Sequence, residues 1–187
     1  SIKNIINGTG VVLHTGFGRA PISKKVISTI AKKLGEQIPG LEVLDGDQVG
    51  KWLLPKQFSW TREERIENTI RIAHIVKLLF KHDISVCVST ITPYDESRKL
   101  IRKIIDDKRF VETYIKCSLQ VCERRDIKGM YKKARTGEIK NFTGVNAPYD
   151  VPTNPDLILD TENSTSEQCV ENIQNYLKAN DLIPPTI

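Results

Sequence analysis

The stretch LHTGFGRAPIS, residues 13–23, follows the apolar run Gly10-Val11-Val12-Leu13 and precedes an amphipathic segment from Val26 to Leu34. Strand, glycine-bearing turn and helix is the arrangement in which backbone N–H groups and a helix N-terminus hold phosphate. A cradle of the form G-x-x-x-x-G-K-[ST] uses its lysine on the β- and γ-phosphates and its hydroxyl on Mg²⁺. Counted from Gly16, the second glycine falls on Pro21, the lysine on Ile22 and the hydroxyl on Ser23. Gly16, Gly18, Arg19 and Ser23 are the candidates left for nucleotide phosphate, and Arg19, Lys24 and Lys25 are the nearby cations. A second constellation is Asp45-Gly46-Asp47, two carboxylates directly after an apolar run. They suit a general base or a metal partner, and a plain turn is the alternative. A third is the concentration of basic residues from Arg124 to Lys140, which suits phosphate or sulfate or, more plainly, forms a solvated helix face.

The elements that must position these groups are legible as alternating patterns. Short apolar runs at Val11–Leu13, Leu41–Leu44, Ile84–Val88, Phe110–Ile115 and Leu157–Leu159 suit strands covered on both faces. Between them, Thr61-Arg62-Glu63-Glu64 is a capping box opening a helix to about Phe80. Further helices are predicted over Glu96–Ile105, Ser118–Arg124, Lys128–Arg135 and Ser166–Lys178. Strand and helix alternate, so the expected fold is α/β with a parallel sheet. In such a sheet ligands lie beyond the carboxyl ends of the strands, at His14–Ser23, Asp45–Asp47, Ser89–Tyr94 and Asp160. The segment Gly137–Pro155 carries two glycines, three prolines and three asparagines and reads as a long functional or mobile loop.

Bulk properties narrow the class. A chain of 187 residues suits one domain. No apolar run reaches the ~18–20 residues of a membrane span, and Ser1–Asn7 is polar and unlike a signal peptide. Cys87, Cys117, Cys122 and Cys169 form no C-x-x-C pair and read as reduced core thiols, which points to the cytoplasm. His14, His74 and His82 show no ligand spacing, and the net charge of +5 is too dispersed to call for nucleic acid. The missing initiating methionine leaves room for a longer parent chain.

The blocks LDGD (44–47), REERIENTIR (62–71), TITPY (90–94) and RRDIKGMYKKARTGEIKNFTGVNAPYDVP (124–152) resemble the adenylyl-sulfate (APS) kinase family. The likeness runs from about residue 41 to the C-terminus and more loosely over 28–40. It implies a P-loop NTPase-type three-layer sandwich with about five parallel strands. It also implies transfer of the ATP γ-phosphoryl to the 3′-hydroxyl of adenosine 5′-phosphosulfate, giving PAPS, with Mg²⁺. On that resemblance 1–187 is a single domain, with 1–27 an atypical phosphate-loop region and 124–155 the lid and APS-binding loop. Asp45 and Asp47 would be catalytic, Asp45 also as the Mg²⁺ partner. Arg65 and Asn68 would hold the phosphosulfate and ribose end, and Ile91 and Thr92 would line the same pocket. Trp60 and Phe142 would be the opposing aromatic walls for the adenine, or else core or hinge aromatics. Lys128, with Lys132, Lys133 and Arg135, would belong to the lid, and Lys140 to the APS site. A homodimer and an ATP sulfurylase partner or fusion follow from the same resemblance.

The departures from the family concentrate at the phosphates: Ile22 for the Walker lysine, Pro21 for a backbone donor, Gly50 for an arginine, and Asn146-Ala147 for two aspartates. Residues 5–23 instead resemble the N-terminal region of bacterial selenocysteine synthase, a PLP enzyme. That likeness covers fewer than twenty residues, with no identifiable Schiff-base lysine region, so PLP chemistry is rejected. The expectation is an APS-kinase-like domain that binds APS or PAPS with impaired or absent phosphoryl transfer. An active APS kinase is the alternative, and a kinase with another nucleotide-like acceptor is the third reading.

Overall fold

A computed structural model describes residues 10–15 (backbone only), 32–36, 38, 40–46, 49, 59–126 and 129–183. Five strands, β1 (Gly10–Thr15), β2 (Glu42–Asp45), β3 (Val86–Thr90), β4 (Phe110–Lys116) and β5 (Leu157–Asp160), form one sheet in the order β2-β3-β1-β4-β5. Every pairing is parallel, with Val12 of β1 in register with Val88 on one side and Glu112 on the other. All five strands overlap the runs expected from sequence, with ends shifted by at most two residues.

The helices are α1 (Arg62–Lys81), α2 (Asp95–Ile105), α3 (Leu119–Arg124), α4 (Met130–Arg135) and α5 (Ser166–Ala179), and residues 32–35 are also helical. Thr61 closes the predicted capping box with Glu64, whose carboxylate also accepts the Ser59 N–H at 2.8 Å. Thr165 and Gln168 form a second box at the start of α5. Alternation along the strands sends side chains to two cores. On one face Cys87, Val111, Ile115 and Leu159 meet Leu34 and the α5 residues Val170, Ile173 and Leu177. On the other, Val86, Val88 and Phe110 meet Ile72, Val76 and Phe80 of α1 and Ile101 and Ile105 of α2. The result is a three-layer α/β sandwich. A third cluster, of Cys117, Val121, Cys122, Tyr131, Ala134 and Phe142, packs α3 and α4 under the 136–147 loop.

All four cysteines are free and buried, as read from the sequence. Among the described residues, no helix is long and apolar enough to cross a membrane.

Thr61→Ala removes the oxygen that accepts the Glu64 N–H. It should lower stability by about 0.5–2 kcal/mol, read as a reduced urea midpoint at unchanged slope.

Candidate functional site

The strand order reverses around β1, which lies between β3 and β4, so the crevice for a ligand opens beyond Thr15, between the ends of those strands. The phosphate candidates Gly16, Gly18, Arg19 and Ser23 follow it in the chain and lie outside the described residues, as do Asp47 and Lys128.

Asp45 is the last residue of β2, half-buried and level with Ser89 at the end of β3. Gly46 explains the D-G-D spacing. A Cβ there would stand 2.9 Å from the Ser89 carbonyl oxygen and 3.0 Å from Thr90 Cγ2. The backbone therefore passes directly against the end of β3, and only glycine fits. A half-buried carboxylate is a hard oxygen donor of the kind Mg²⁺ takes from one or two side chains plus substrate phosphates. Among the described residues no group of three or more His, Cys, Asp or Glu stands ready to hold a metal by itself.

Of the predicted acceptor-side residues, Trp60 and Arg65 meet at the N-terminus of α1, with Asn68 one turn further along. Trp60 adopts φ 60°, an unfavourable left-handed conformation for so large a residue. Arg65 holds it there: its Nε donates to the Trp60 carbonyl at 3.0 Å and its guanidinium lies 5.2 Å over the indole. The same guanidinium donates to the Asn141 carbonyl at 2.7 Å, and the Asn141 amide donates to the Ser59 carbonyl at 3.1 Å. Residues 59–65 and 141–142, far apart in sequence, are thereby tied together. One turn along α1 from Arg65, the Asn68 side-chain oxygen is buried with no hydrogen-bond partner among the described residues. An orphaned buried acceptor is uncommon and costly, and calls for a ligand or water.

Phe142 is 7 % exposed and packs edge-on against Tyr131 at 4.9 Å, so in this state it is a core aromatic of the third cluster. Thr92 is fully buried, its hydroxyl 3.2 Å from that of Thr90. Ile91 is half-buried, and Lys140 is exposed. Lys132 and Lys133 are exposed, whereas Arg135 is taken by Glu123. The first turn of the α4 helix that carries them is capped by Asp126, whose carboxylate accepts the N–H groups of Met130, Tyr131 and Lys132.

Several residues in this region have partners that the sequence does not reveal. Asn146, one of the departures, uses both ends of its amide: the oxygen accepts from Phe142 N–H and the nitrogen donates to the Ile139 carbonyl at 2.9 Å. An aspartate could make the first bond and not the second. Arg98 is 2 % exposed and joins the 90–94 and 148–152 loops. Cys117 shares a hydrogen bond with Cys122 and lies 3.7 Å from Arg125, which together hold its thiol below the ordinary value.

A three-layer sandwich whose parallel sheet reverses its strand order at the central β1 is compatible with a kinase-type P-loop fold. A sequence model of the family described as Adenylylsulphate kinase matches residues 9–160. The chain is 46 % identical to the adenylyl-sulfate kinase of Staphylococcus epidermidis over 176 residues, covering 94 % of this chain and 87 % of that protein. It is 42 % identical to that of Clostridium acetobutylicum over 182 residues, covering 97 % and 90 %. The Mycobacterium tuberculosis APS kinase CysC, solved with AMPPNP and APS, superposes with a TM-score of 0.79 at 35 % identity, over 91 % of this chain and 99 % of that one. The chain belongs to the adenylylsulphate kinase family.

Gly46→Ala should cost about 1–3 kcal/mol, because the backbone carbonyl it meets cannot move aside without disturbing β3. Chemical denaturation checks this; an unchanged midpoint would mean that the close approach is not a constraint.

Proposed function

We propose that this domain binds adenosine 5′-phosphosulfate or its 3′-phosphorylated product PAPS beside the N-terminus of α1, and that its phosphoryl transfer from ATP is impaired. The observation that carries the first half is the buried, unpartnered Asn68 oxygen one turn from Arg65. A ribose hydroxyl would donate to that oxygen, and Arg65, already placed between Trp60 and Asn141, would add charge for the phosphosulfate. Ile91, Thr92 and Lys140 would complete the pocket. Trp60 offers one aromatic wall; Phe142 can offer the other only when the 136–147 loop shifts, since its ring is now covered. Asp45 would take the proton of the 3′-hydroxyl or hold Mg²⁺, and Asp47, Lys128 and the lid cations would gather around the phosphates. Mg²⁺, when bound, would neutralise charge on the transferring phosphoryl group.

The second half rests on the sequence: Ile22 falls where the spacing calls for the phosphate-binding lysine, and Pro21, where it calls for glycine, has no backbone N–H to donate. Removing even one preorganised donor lowers turnover by about 10²–10³. A silent domain of this kind could act by holding sulfonucleotide for a partner, with a homodimer or an ATP sulfurylase the forms to test. The second reading, an active adenylyl-sulfate kinase, is favoured by the names and 42–46 % identity of the relatives.

Calorimetric titration with PAPS, APS and Mg-ATP separately, alongside an assay of PAPS formation, separates the two readings. Micromolar PAPS binding without turnover is expected; turnover typical of kinases would end the silent reading. In the double variant Pro21→Gly, Ile22→Lys, turnover should rise at least about 10²-fold. Asn68→Leu should leave the unliganded protein as stable or more stable, while weakening PAPS binding by about 1–3 kcal/mol.

A further inference from the structure

Arg98 stands on α2 and is 2 % exposed, yet carboxylates alone do not account for it: Asp95 and Glu112 lie at 3.6 and 3.7 Å, at the loose end of ion pairing. Its short contacts are to backbone. One guanidinium nitrogen donates to the Thr92 carbonyl at 2.9 Å and another to the Asp150 carbonyl at 2.8 Å. Around this fork the same two loops meet again. The Asp150 N–H donates to the Pro93 carbonyl at 2.7 Å, and the Asp150 carboxylate accepts the Asp95 N–H at 3.0 Å, capping a helix whose own N-cap, Tyr94, makes no side-chain cap bond. From Asp150 the chain runs back to Ala147, whose N–H bonds the Phe142 carbonyl and whose carbonyl accepts from Gly144. Arg98 therefore sets the spacing between the loop bearing Ile91 and Thr92 and the loop descending from Phe142.

A buried arginine is a poor choice for stability alone, because desolvation offsets most of what its pairings give and an apolar residue of similar volume often serves as well. Its particular asset is a planar fork that fixes two acceptors at once. We propose that Arg98 is a positioning residue of the acceptor site: it touches no ligand but holds the two loops at the separation sulfonucleotide binding needs. This rests on the assignment of APS or PAPS to the pocket of Arg65, Asn68, Ile91 and Thr92.

The test is PAPS affinity, measured calorimetrically on the intact chain, beside the urea midpoint and the hydrogen-exchange protection of the Asp150 amide. Arg98→Lys keeps the charge but reaches one carbonyl instead of two, and is the variant expected to stay folded. It should weaken PAPS binding about 10- to 100-fold and loosen the Asp150 amide. Arg98→Met, where it folds, should lose more, with Lys an intermediate rescue. A lowered urea midpoint with wild-type PAPS affinity in folded Arg98→Lys would show a merely structural role and overturn the inference. Failure of the wild-type chain to bind either APS or PAPS would overturn the site assignment itself, and this inference with it.

Discussion

A carboxylate placed in the interior of a parallel sheet must be answered by cations, and Glu112 of β4, only 4 % exposed, imposes that requirement here. Burial pushes its carboxyl up from the ordinary value, while Arg102 and Arg98 pull the other way. Both arginines come from α2, one turn apart. Arg102 donates to Glu112 at 3.0 Å and to Asp156 at 2.8 Å, and Asp156 accepts the Glu112 N–H at 2.7 Å. One charge thereby fixes the roll of α2 on the sheet and the entry into β5. Through Arg98 it also fixes the two loops at the sheet's carboxyl end. Removing Glu112 would leave a guanidinium buried with weaker compensation, so the acceptor side and the core are parts of one electrostatic problem.

The parts of this fold that are local were legible in the sequence. Thr61 with Glu64 specified the start of α1 because a capping box needs only four consecutive residues, and Ile84–Val88 specified a buried strand because a short run rich in Ile and Val suits a strand covered on both faces. What stayed hidden is long-range. In sequence Arg98 is an ordinary helical cation four residues before Arg102; its true partners are carbonyls, one of them 52 residues away. Arg65 was singled out from a family pattern, but its bond to Asn141, 76 residues distant, could not be. Asn146 counted as a lost carboxylate, whereas its amide repays that loss inside the loop with a bond aspartate cannot make.

Aromatic residues carried the weakest sequence signal. Trp60 and Phe142 were paired as walls of one pocket, and Arg65 with Asn141 does bring their segments together. Yet Phe142 is packed against Tyr131 in the cluster with α3 and α4, and its face is not on offer without movement. Spacing tells which residues can meet; it does not tell which of two packing partners, a tyrosine or a ligand base, holds the ring in a given state.

The two halves of the site differ in what they owe to the fold. The residues proposed for the acceptor half are held by bonds that also hold the domain together, through Glu112, Arg98, Asp150 and Arg65, so they could not drift without cost to stability. The phosphate half follows a strand whose pairing is made by backbone groups, and backbone pairing is indifferent to the side chains of the loop beyond it. A cation there serves transition-state charge and not the packing of the sheet. On the proposed reading, isoleucine at position 22, where the spacing calls for lysine, would weaken phosphoryl transfer while leaving the backbone pairing of the sheet untouched.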